Sequence, residues 1–238
     1  FGMIHLAAGN PADENGSPIK HALKEIKIYE DAGVDGAIIE NYHGTRDDVV
    51  ETLKVLNERD NKIKIGINIL SNEYDEALIF ANQYGADFVQ LDYIAGHYRR
   101  GELDFESYKE YKEKFQDIIV LGGVWPKYYD PVQGSDFATD LREGMERAEV
   151  IVITGEGTGQ ETPLDKLITA KEVCGDHLVC VGAGVNHENV YEQLKYADCA
   201  IVGSCFKPQG DTSFPVHFDL VNSFMNSVRA VRKERFGE

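Results

Sequence analysis

The chain has 238 residues, of which 42% are apolar and 27% are charged, and its formal net charge is −17 at pH 7. This composition is typical of a globular protein with an ordinary apolar core, and the acidic balance argues against binding to nucleic acid or to anionic membranes. No signal peptide and no apolar run of membrane-spanning length is visible, so we expect no membrane insertion. The four cysteines lack C-x-x-C spacing, which is typical of reduced thiols and predicts a cytoplasmic protein.

Short apolar runs alternate with segments of helical periodicity along the chain. The predicted strands cover 3–8, 36–41, 64–70, 88–94, 118–124, 150–154, a run from 178 to Gly182, and 200–202. The predicted helices that follow them cover 19–32, 47–59, 74–84, 104–115, 135–148, 163–173, 188–196 and 215–235. Thr162 and Pro163 are predicted as the N-cap and the first residue of the sixth helix.

Eight such units in strict alternation predict an α/β fold, a single (β/α)₈ or TIM barrel over residues 1–238. Several strands are continuously apolar, as are parallel strands buried on both faces. A doubly wound sheet is the alternative, and eight regular units with a closing helix favour the barrel. In such barrels the catalytic groups lie at the C-terminal ends of the strands, and a phosphate site follows strands seven and eight.

The last two predicted strands both end in glycine, in VGAGV at 181–185 and IVGS at 201–204. Glycine lets the backbone approach a ligand closely, and two such turns at adjacent parallel strands offer N–H groups that suit a phosphate. Tight βα turns are the alternative, and the dinucleotide fingerprint fails because His187 stands at its third glycine. Lys207 is predicted to add positive charge, or else to be a solvated surface lysine. The predicted phosphate-binding residues are Gly182, Ala183, Gly184, Gly203, Ser204 and Lys207.

Polar residues at the ends of the other predicted strands are the candidates for chemistry. Carboxylates in one mouth near a phosphate raise each other's pKa, as a general acid or base needs; alternatively, they bind a Mg²⁺ that bridges to the phosphate. Glu40 lies inside an apolar run, where burying a carboxylate costs free energy. This favours a functional role for Glu40. Helix capping or pairing with lysine is the alternative for the other acids. The candidates are His5, Glu40, Asp92, Lys127 and Glu156 for catalysis, and Asn41 and Asn68 for substrate binding.

The basic candidates have structural alternatives as well. His5 follows an apolar strand and is either functional or a core histidine bonded to backbone. His43 and His97 lie in mouth loops, but the three histidines lack the spacing of a strong metal site, so no metal ligand is assigned. Lys127 follows Pro126 in a loop, which favours an electrostatic role over a Schiff-base lysine, since the latter needs a desolvated position within a strand.

Seven segments occur in the order expected for one known family, and together they span nearly the whole chain. They are MIHL at 3–6 with Gly9 and Pro11, GAIIENY at 36–42, IGINIL at 65–70 with Asn72, GADFV at 85–89 with Gly96, VITG at 152–155 with Thr158 and Gly159, VGAGV at 181–185 with 188–190, and IVGS at 201–204 with Lys207. In these segments the chain resembles the BtpA/SgcQ family of TIM-barrel proteins. It departs from the family pattern at GVWPKY, residues 123–128, where Lys127 alone of the polar residues is retained, and at Asp92.

The resemblance implies a barrel with a phosphate-type site, a role in photosystem I biogenesis for one branch, and sugar or nucleotide metabolism for another. The first hypothesis is an enzyme that acts on a phosphorylated small molecule, a sugar phosphate or a phosphoribosyl or nucleotide-like compound, by carboxylate acid/base chemistry. The alternatives are a non-catalytic assembly or regulatory factor and a Mg²⁺-dependent nucleotide phosphohydrolase. A homo-oligomer is compatible with all three.

Overall fold

The structure is a computed structural model that describes residues 1–7 and 17–237. The end of the first predicted strand and the turn with Gly9 and Pro11 lie outside the described residues. The described strands are β1 (Gly2–Ala7), β2 (Gly36–His43), β3 (Lys64–Asn68), β4 (Phe88–Ala95), β5 (His97–Tyr98), β6 (Gly101–Glu102), β7 (Ile119–Val124), β8 (Val150–Ile153), β9 (Leu178–Val181) and β10 (Cys199–Ala200).

Eight of these strands form one parallel sheet in the order β1-β2-β3-β4-β7-β8-β9-β10. Its two ends join, because the N–H of Met3 donates to the carbonyl of Val202 at 2.9 Å and the N–H of Val202 donates to the carbonyl of Phe1 at 2.9 Å. The small antiparallel hairpin of β5 and β6 is inserted between β4 and β7. The predicted TIM barrel is therefore confirmed.

Helices follow the barrel strands, and local sequence signals set several of their ends. Gly33 and Gly85 end the first and third helices in the left-handed conformation, with φ of 79° and 74°. Thr45 and Asp48 form a reciprocal capping box at the start of the second. The described helices are α1 (Pro18–Ala32), α2 (Arg46–Asn57), α3 (Tyr74–Tyr84), α4 (Phe105–Lys114), α5 (Phe137–Arg147), α6 (Leu164–Cys174), α7 (Val190–Gln193) and α8 (Phe218–Phe236). None of the helices in the described ranges is long and apolar enough to span a membrane.

The barrel interior is apolar at its N-terminal end and polar at its mouth. Ile38, Phe88 and Leu121 belong to a buried cluster inside the barrel, separate from the larger core between sheet and helices. Side chains two residues apart on a strand face the same side, so Glu40 follows Ile38 into the interior. The polar side chains at the C-terminal ends of the strands therefore lie directly above an apolar interior, which shields them from water.

Two predicted element boundaries were wrong for reasons of local hydrogen bonding. The predicted helix 188–196 has only four helical residues, in α7. Before it, reciprocal bonds between the carboxamides and N–H groups of Asn186 and Asn189, at 2.8 and 3.2 Å, close a turn. After it, the chain tightens into bonds three residues apart, from the N–H of Lys195 to the carbonyl of Glu192 at 3.3 Å and from the N–H of Tyr196 to the carbonyl of Gln193 at 3.1 Å. Thr162 does not cap α6. Its hydroxyl instead donates to the carbonyl of Ala183 at 3.0 Å, and Pro163 takes the N-cap position.

The last strand is shorter than predicted. Only Cys199–Ala200 pairs as a strand with β9, and Val202 makes an isolated bridge to Gly2. From Gly203 the chain turns into a short 3₁₀ helix at Ser204–Phe206. This early turn brings the backbone of Gly203 and Ser204 to the edge of the mouth.

Candidate active site

A cavity opens at the C-terminal end of the barrel and reaches down to the polar side chains of the first four parallel strands. Its floor includes His5, Glu40, Asn68 and Asp92, which come from β1 to β4 in that order. The turns that follow β9 and β10 form another part of its wall. The structure thus brings together most of the residues that the sequence nominates.

Asn68 lies at the centre of the floor and contacts three acceptor side chains. Its Nδ2 lies 2.9 Å from Oε1 of Glu40, 2.9 Å from Oε1 of Gln90 and 3.3 Å from Oδ1 of Asp92. A carboxamide nitrogen has only two hydrogens, so one of the three acceptors is always left with a weaker bond. We call Glu40, Asn68, Gln90 and Asp92 the floor cluster.

Both carboxyl groups of the floor cluster bind protons more tightly than usual. Burial raises the pKa of Glu40 from 4.5 to about 7; the charge of Asp92 adds to the rise, and Lys127, Asn68 and Lys207 oppose it. Burial also raises the pKa of Asp92, against hydrogen bonds from Asn68 and Tyr129 and the charge of Lys127. A carboxyl group that titrates near neutrality is suited to general acid or base catalysis.

His5 lies beside Glu40 but does not form an ion pair with it. Nε2 of His5 is 3.8 Å from Oε2 of Glu40. Burial lowers the pKa of His5 well below 6.5, and the charges of Lys207, Lys127 and His43 lower it further. The imidazole is therefore neutral at pH 7, and the contact joins a neutral ring to a carboxyl group.

Two buried polar atoms of the floor lack a partner within the described part of the chain. They are Nδ1 of His5 and Oδ1 of Asn68. Buried polar atoms are nearly always hydrogen bonded, so atoms of this kind at a cavity floor indicate a place where a bound ligand or water completes the bonding.

The glycine turns of the wall after β9 and β10 are closely packed and cannot carry side chains. Gly184 has φ of 67°, and a Cβ there would lie 2.1 Å from the carbonyl oxygen of Gln160. A Cβ on Gly203 would lie 2.9 Å from Cε1 of His5. In the ranges that the structure describes, the N–H groups of Gly184 and Ser204 donate to no other group. Both residues line the cavity, next to the hydroxyl-bearing Thr158, so their N–H groups are candidate donors to a ligand.

Three predicted site residues do not line this cavity. Asn41 points away from the barrel interior, because it follows Glu40 on the strand, and its Oδ1 accepts from the N–H of Leu70 at 2.8 Å. Glu156 is exposed and lines a separate depression beside Lys166.

Lys207 is neither a solvated lysine nor part of the cavity wall. It is 2% exposed, and its Nζ donates to the carbonyl of Thr212 at 3.1 Å and lies 3.9 Å from Oε1 of Glu25 on α1. Burial lowers its pKa, although Glu25, Asp211 and Glu40 oppose the change. Lys207 thus acts on His5 and Glu40 only through its charge.

The sequence model of the BtpA family matches residues 1–230. The chain belongs to the BtpA family. The predicted resemblance is thereby confirmed over nearly the full length.

Relatives of this BtpA-family chain include uncharacterized proteins of two archaea. It is 30% identical to one of Pyrococcus furiosus, with 92% of this chain and 90% of the relative covered, and 29% identical to one of Methanocaldococcus jannaschii, with 98% and 95% covered. It is 26% identical to the photosystem I biogenesis protein BtpA of Synechocystis, with 88% and 79% covered.

Solved structures similar to this BtpA-family chain share its fold. N-(5'-phosphoribosyl)anthranilate isomerase from Pyrococcus furiosus superposes with a TM-score of 0.63 at 17% identity, covering 97% of this chain and 98% of that one. A structure described as native KDPGal superposes with a TM-score of 0.66 at 15% identity, covering 98% and 96%. These likenesses establish the barrel.

The segment in which this BtpA-family chain departs from the family pattern is firmly held. Trp125 and Tyr128 have φ of 50° and 69°, values that are costly for residues other than glycine. The indole of Trp125 donates to Asp140 at 2.7 Å, and the ammonium of Lys166 donates to the carbonyls of Trp125 at 2.7 Å and Thr154 at 2.8 Å. These bonds fix the segment that carries Lys127 into the cavity.

Among the cavity-lining residues that sequence reasoning missed, four have polar side chains that bear on the candidate site. Gln90 could have been found, since it precedes Asp92 by two residues and must share its face. Tyr42 follows Glu40 by two residues and must likewise share its face. Arg100 and Tyr129 come from loops, where no periodicity indicates the direction of a side chain. All four line the cavity in this BtpA-family chain.

Proposed function

We propose that the chain is an enzyme that acts on a phosphorylated small molecule, a sugar phosphate or a phosphoribosyl or nucleotide-like compound, by proton transfer at carboxyl groups. The observation that carries the proposal is Glu40, a carboxyl group 7% exposed at the cavity floor with its pKa raised to about 7. Such a group gains and loses a proton at neutral pH. Asp92, bonded to the same Asn68, is the second proton carrier.

The glycine turns support a phosphate as the group that anchors the substrate. Gly184 and Ser204 line the cavity, and their N–H groups donate to no other group in the described ranges. Concave sets of such backbone donors bind anions. In a chain with net charge −17, backbone donors are a means of holding a phosphate without a large basic patch. The substrate would then extend from these turns across the floor cluster.

Proton transfer at the floor cluster fits isomerisation, epimerisation and carbon–carbon cleavage. The fold does not select among these reactions. The similar barrel named as an isomerase of phosphoribosylanthranilate has a phosphorylated substrate by its name, which favours the phosphorylated class for this chain. A Mg²⁺ ion held by Glu40 and Asp92 is less favoured, because the amide nitrogen of Asn68 already contacts both carboxyl groups.

The Synechocystis relative named for photosystem I biogenesis favours a second candidate, a non-catalytic assembly factor. In that case the cavity would serve as a sensor or would have no ligand. The two candidates differ in the effect of Glu40→Gln, which would abolish an enzymatic role and leave an assembly role intact.

Ligand binding can be tested by thermal unfolding with a panel of sugar phosphates, phosphoribosyl compounds, nucleotides and inorganic phosphate, with and without Mg²⁺. A ligand at about 100 times its Kd stabilises the fold by roughly 2.7 kcal/mol. Ser204→Asp places a carboxylate at the half-buried wall and should abolish the shift, whereas Ser223→Asp, on an exposed face of α8, should retain it. No shift from any phosphorylated compound would overturn the proposal.

A further inference from the structure

A two-residue turn carries Arg100 over the cavity. Arg99 and Arg100 connect β5 to β6 in the small hairpin. The hairpin is tied to the following loop, since the N–H of Arg99 donates to the carbonyl of Asp130 at 3.1 Å and the N–H of Val132 donates to the carbonyl of His97 at 3.0 Å. Of the two arginines, only Arg100 lines the cavity.

An aromatic platform orients Arg100. Its guanidinium carbon lies 5.9 Å from the ring centroid of Tyr129, a distance at which a cation is attracted to the ring. The ring of Tyr129 packs against Tyr93 and Tyr98 with centroid separations of 5.1 and 5.8 Å, and its hydroxyl donates to Oδ2 of Asp92 at 3.2 Å. The guanidinium is therefore connected to the floor cluster through one fixed side chain.

No carboxylate in the described ranges pairs with Arg100. The chain has 41 acidic residues and only 24 basic ones, yet the arginine that lines the cavity is not neutralised by any of the described carboxylates. Asp92 is linked to Arg100 only through Tyr129. Its carboxylate accepts hydrogen bonds from Tyr129 and Asn68 instead of pairing with the guanidinium. The planar fork of an arginine matches carboxylate and phosphate geometry and is suited to recognising such groups.

The position of Arg100 is complementary to that of the glycine turns. In the eight-strand order, β4 and β10 lie four positions apart, which is diametrically opposite in a closed ring. Arg100 follows β4, and the turn at Gly203 follows β10. The floor cluster lies below the space between them. A ligand anchored by a phosphate at the turns therefore extends toward Arg100.

We infer that the substrate carries a second anionic group, a carboxylate or a second phosphate, which Arg100 binds on the far side of the mouth from the glycine turns. The inference rests on the proposed function, because it needs the first phosphate at those turns. It narrows the substrate class to elongated small molecules with an anion at each end and the reacting atoms between them.

The test is isothermal titration calorimetry with three probes. Ribose 5-phosphate has one anionic group, ribulose 1,5-bisphosphate has two phosphates, and 6-phosphogluconate has a phosphate and a carboxylate. The proteins are the wild type, Arg100→Met and the matched control Arg99→Met, which removes the neighbouring guanidinium outside the cavity. Arg100 is exposed, so its replacement leaves the core unchanged, and circular dichroism checks this.

The wild type should bind at least one of the two-anion probes more tightly than ribose 5-phosphate. Arg100→Met should weaken that probe about tenfold to a hundredfold, the usual range for a charge-assisted bond, while ribose 5-phosphate changes less than about twofold. Arg99→Met should leave the affinities of both probes unchanged. The two-anion probe that binds more tightly than ribose 5-phosphate identifies the second anion as phosphate or carboxylate.

Two results separate the failure of the inference from that of the proposed function. If ribose 5-phosphate binds but neither two-anion probe binds more tightly, or if the two arginine variants lose affinity equally, the second-anion site is contradicted and the phosphate site stands. If none of the probes binds, the phosphate site itself is contradicted, and the inference falls with it.

Discussion

Nδ2 of Asn68 lies 2.9 Å from Oε1 of Glu40, and both side chains are buried, Asn68 at 1% exposure and Glu40 at 7%. The amide donates to the ionised form of the carboxyl group and so opposes the rise in pKa that burial causes. The contact therefore holds Glu40 near the middle of the physiological pH range, where proton transfer in both directions is feasible.

Replacing Asn68 by Ala should raise the pKa of Glu40 above its value of about 7, because the ionised carboxylate loses a hydrogen bond. The measurement is a pH titration of the side-chain carboxyl carbon by ¹³C NMR. Asn226→Ala, on an exposed face of α8, is the control and should leave the titration unchanged. An unchanged or lowered pKa in Asn68→Ala would show that the amide does not tune Glu40.

Glu40 should also make the stability of the fold depend on pH. Because its pKa is raised from 4.5 to about 7, the folded state keeps a proton that the unfolded state has already released. The contribution of Glu40 to the free energy of unfolding therefore falls as pH rises from about 4.5 to 7, by on the order of 3 kcal/mol. Below pH 4.5 both states are protonated, and there the contribution is constant.

Urea unfolding at about pH 5 and about pH 8, on either side of the raised pKa, tests this prediction on the wild type and on Glu40→Gln. The buried neutral His5 contributes in the opposite direction, since its pKa is lowered, so the relevant quantity is the difference between the two proteins. The free energy of unfolding of Glu40→Gln minus that of the wild type should increase as the pH rises. Glu156→Gln, an exposed position, should show the same pH dependence as the wild type; identical profiles for all three would refute the pKa argument.

The turn at Gly184 should not tolerate alanine. Its φ is 67°, and an added Cβ would lie 2.1 Å from the carbonyl oxygen of Gln160, so backbone strain and a steric clash combine. We expect Gly184→Ala to lower the free energy of unfolding by about 3 kcal/mol or more. Gly210→Ala is the matched control, because φ is 73° there but no atom lies within 4 Å of the Cβ position; it should cost about 1 kcal/mol. Equal losses in urea unfolding would show that the wall is not closely packed.

The regular part of the fold followed from the sequence because apolar periodicity determines which segments become strands and helices. Glu40 was also predictable, since a carboxylate within an apolar run needs a reason to be buried. The prediction of a helix over 188–196 was wrong because side-chain bonds between Asn186 and Asn189 close a turn before α7, and bonds three residues apart follow Gln193. Apolar periodicity does not register either of these.

Which residues line the cavity was predictable for most strand positions and for loop residues directly after a strand, and not for loops placed by long-range packing. Asn68 and Asp92 lie on strands and reach the floor. Arg100 and Tyr129 depend on how a hairpin and a loop pack against each other, which involves contacts between residues far apart in sequence. Lys207 was assigned to the phosphate because it follows the glycine turn, but its side chain turns toward Glu25 on α1.

The central claim is that Glu40 moves a proton on a phosphorylated substrate. It is tested most directly by following the compounds that stabilise the protein by NMR, in the presence of the wild type, Glu40→Gln and Glu156→Gln. We predict that the wild type and Glu156→Gln convert one of them, whereas Glu40→Gln binds it with similar affinity but converts it at least about a hundredfold more slowly. Conversion at equal rates by wild type and Glu40→Gln, or no conversion of any bound compound by the wild type, would contradict the claim.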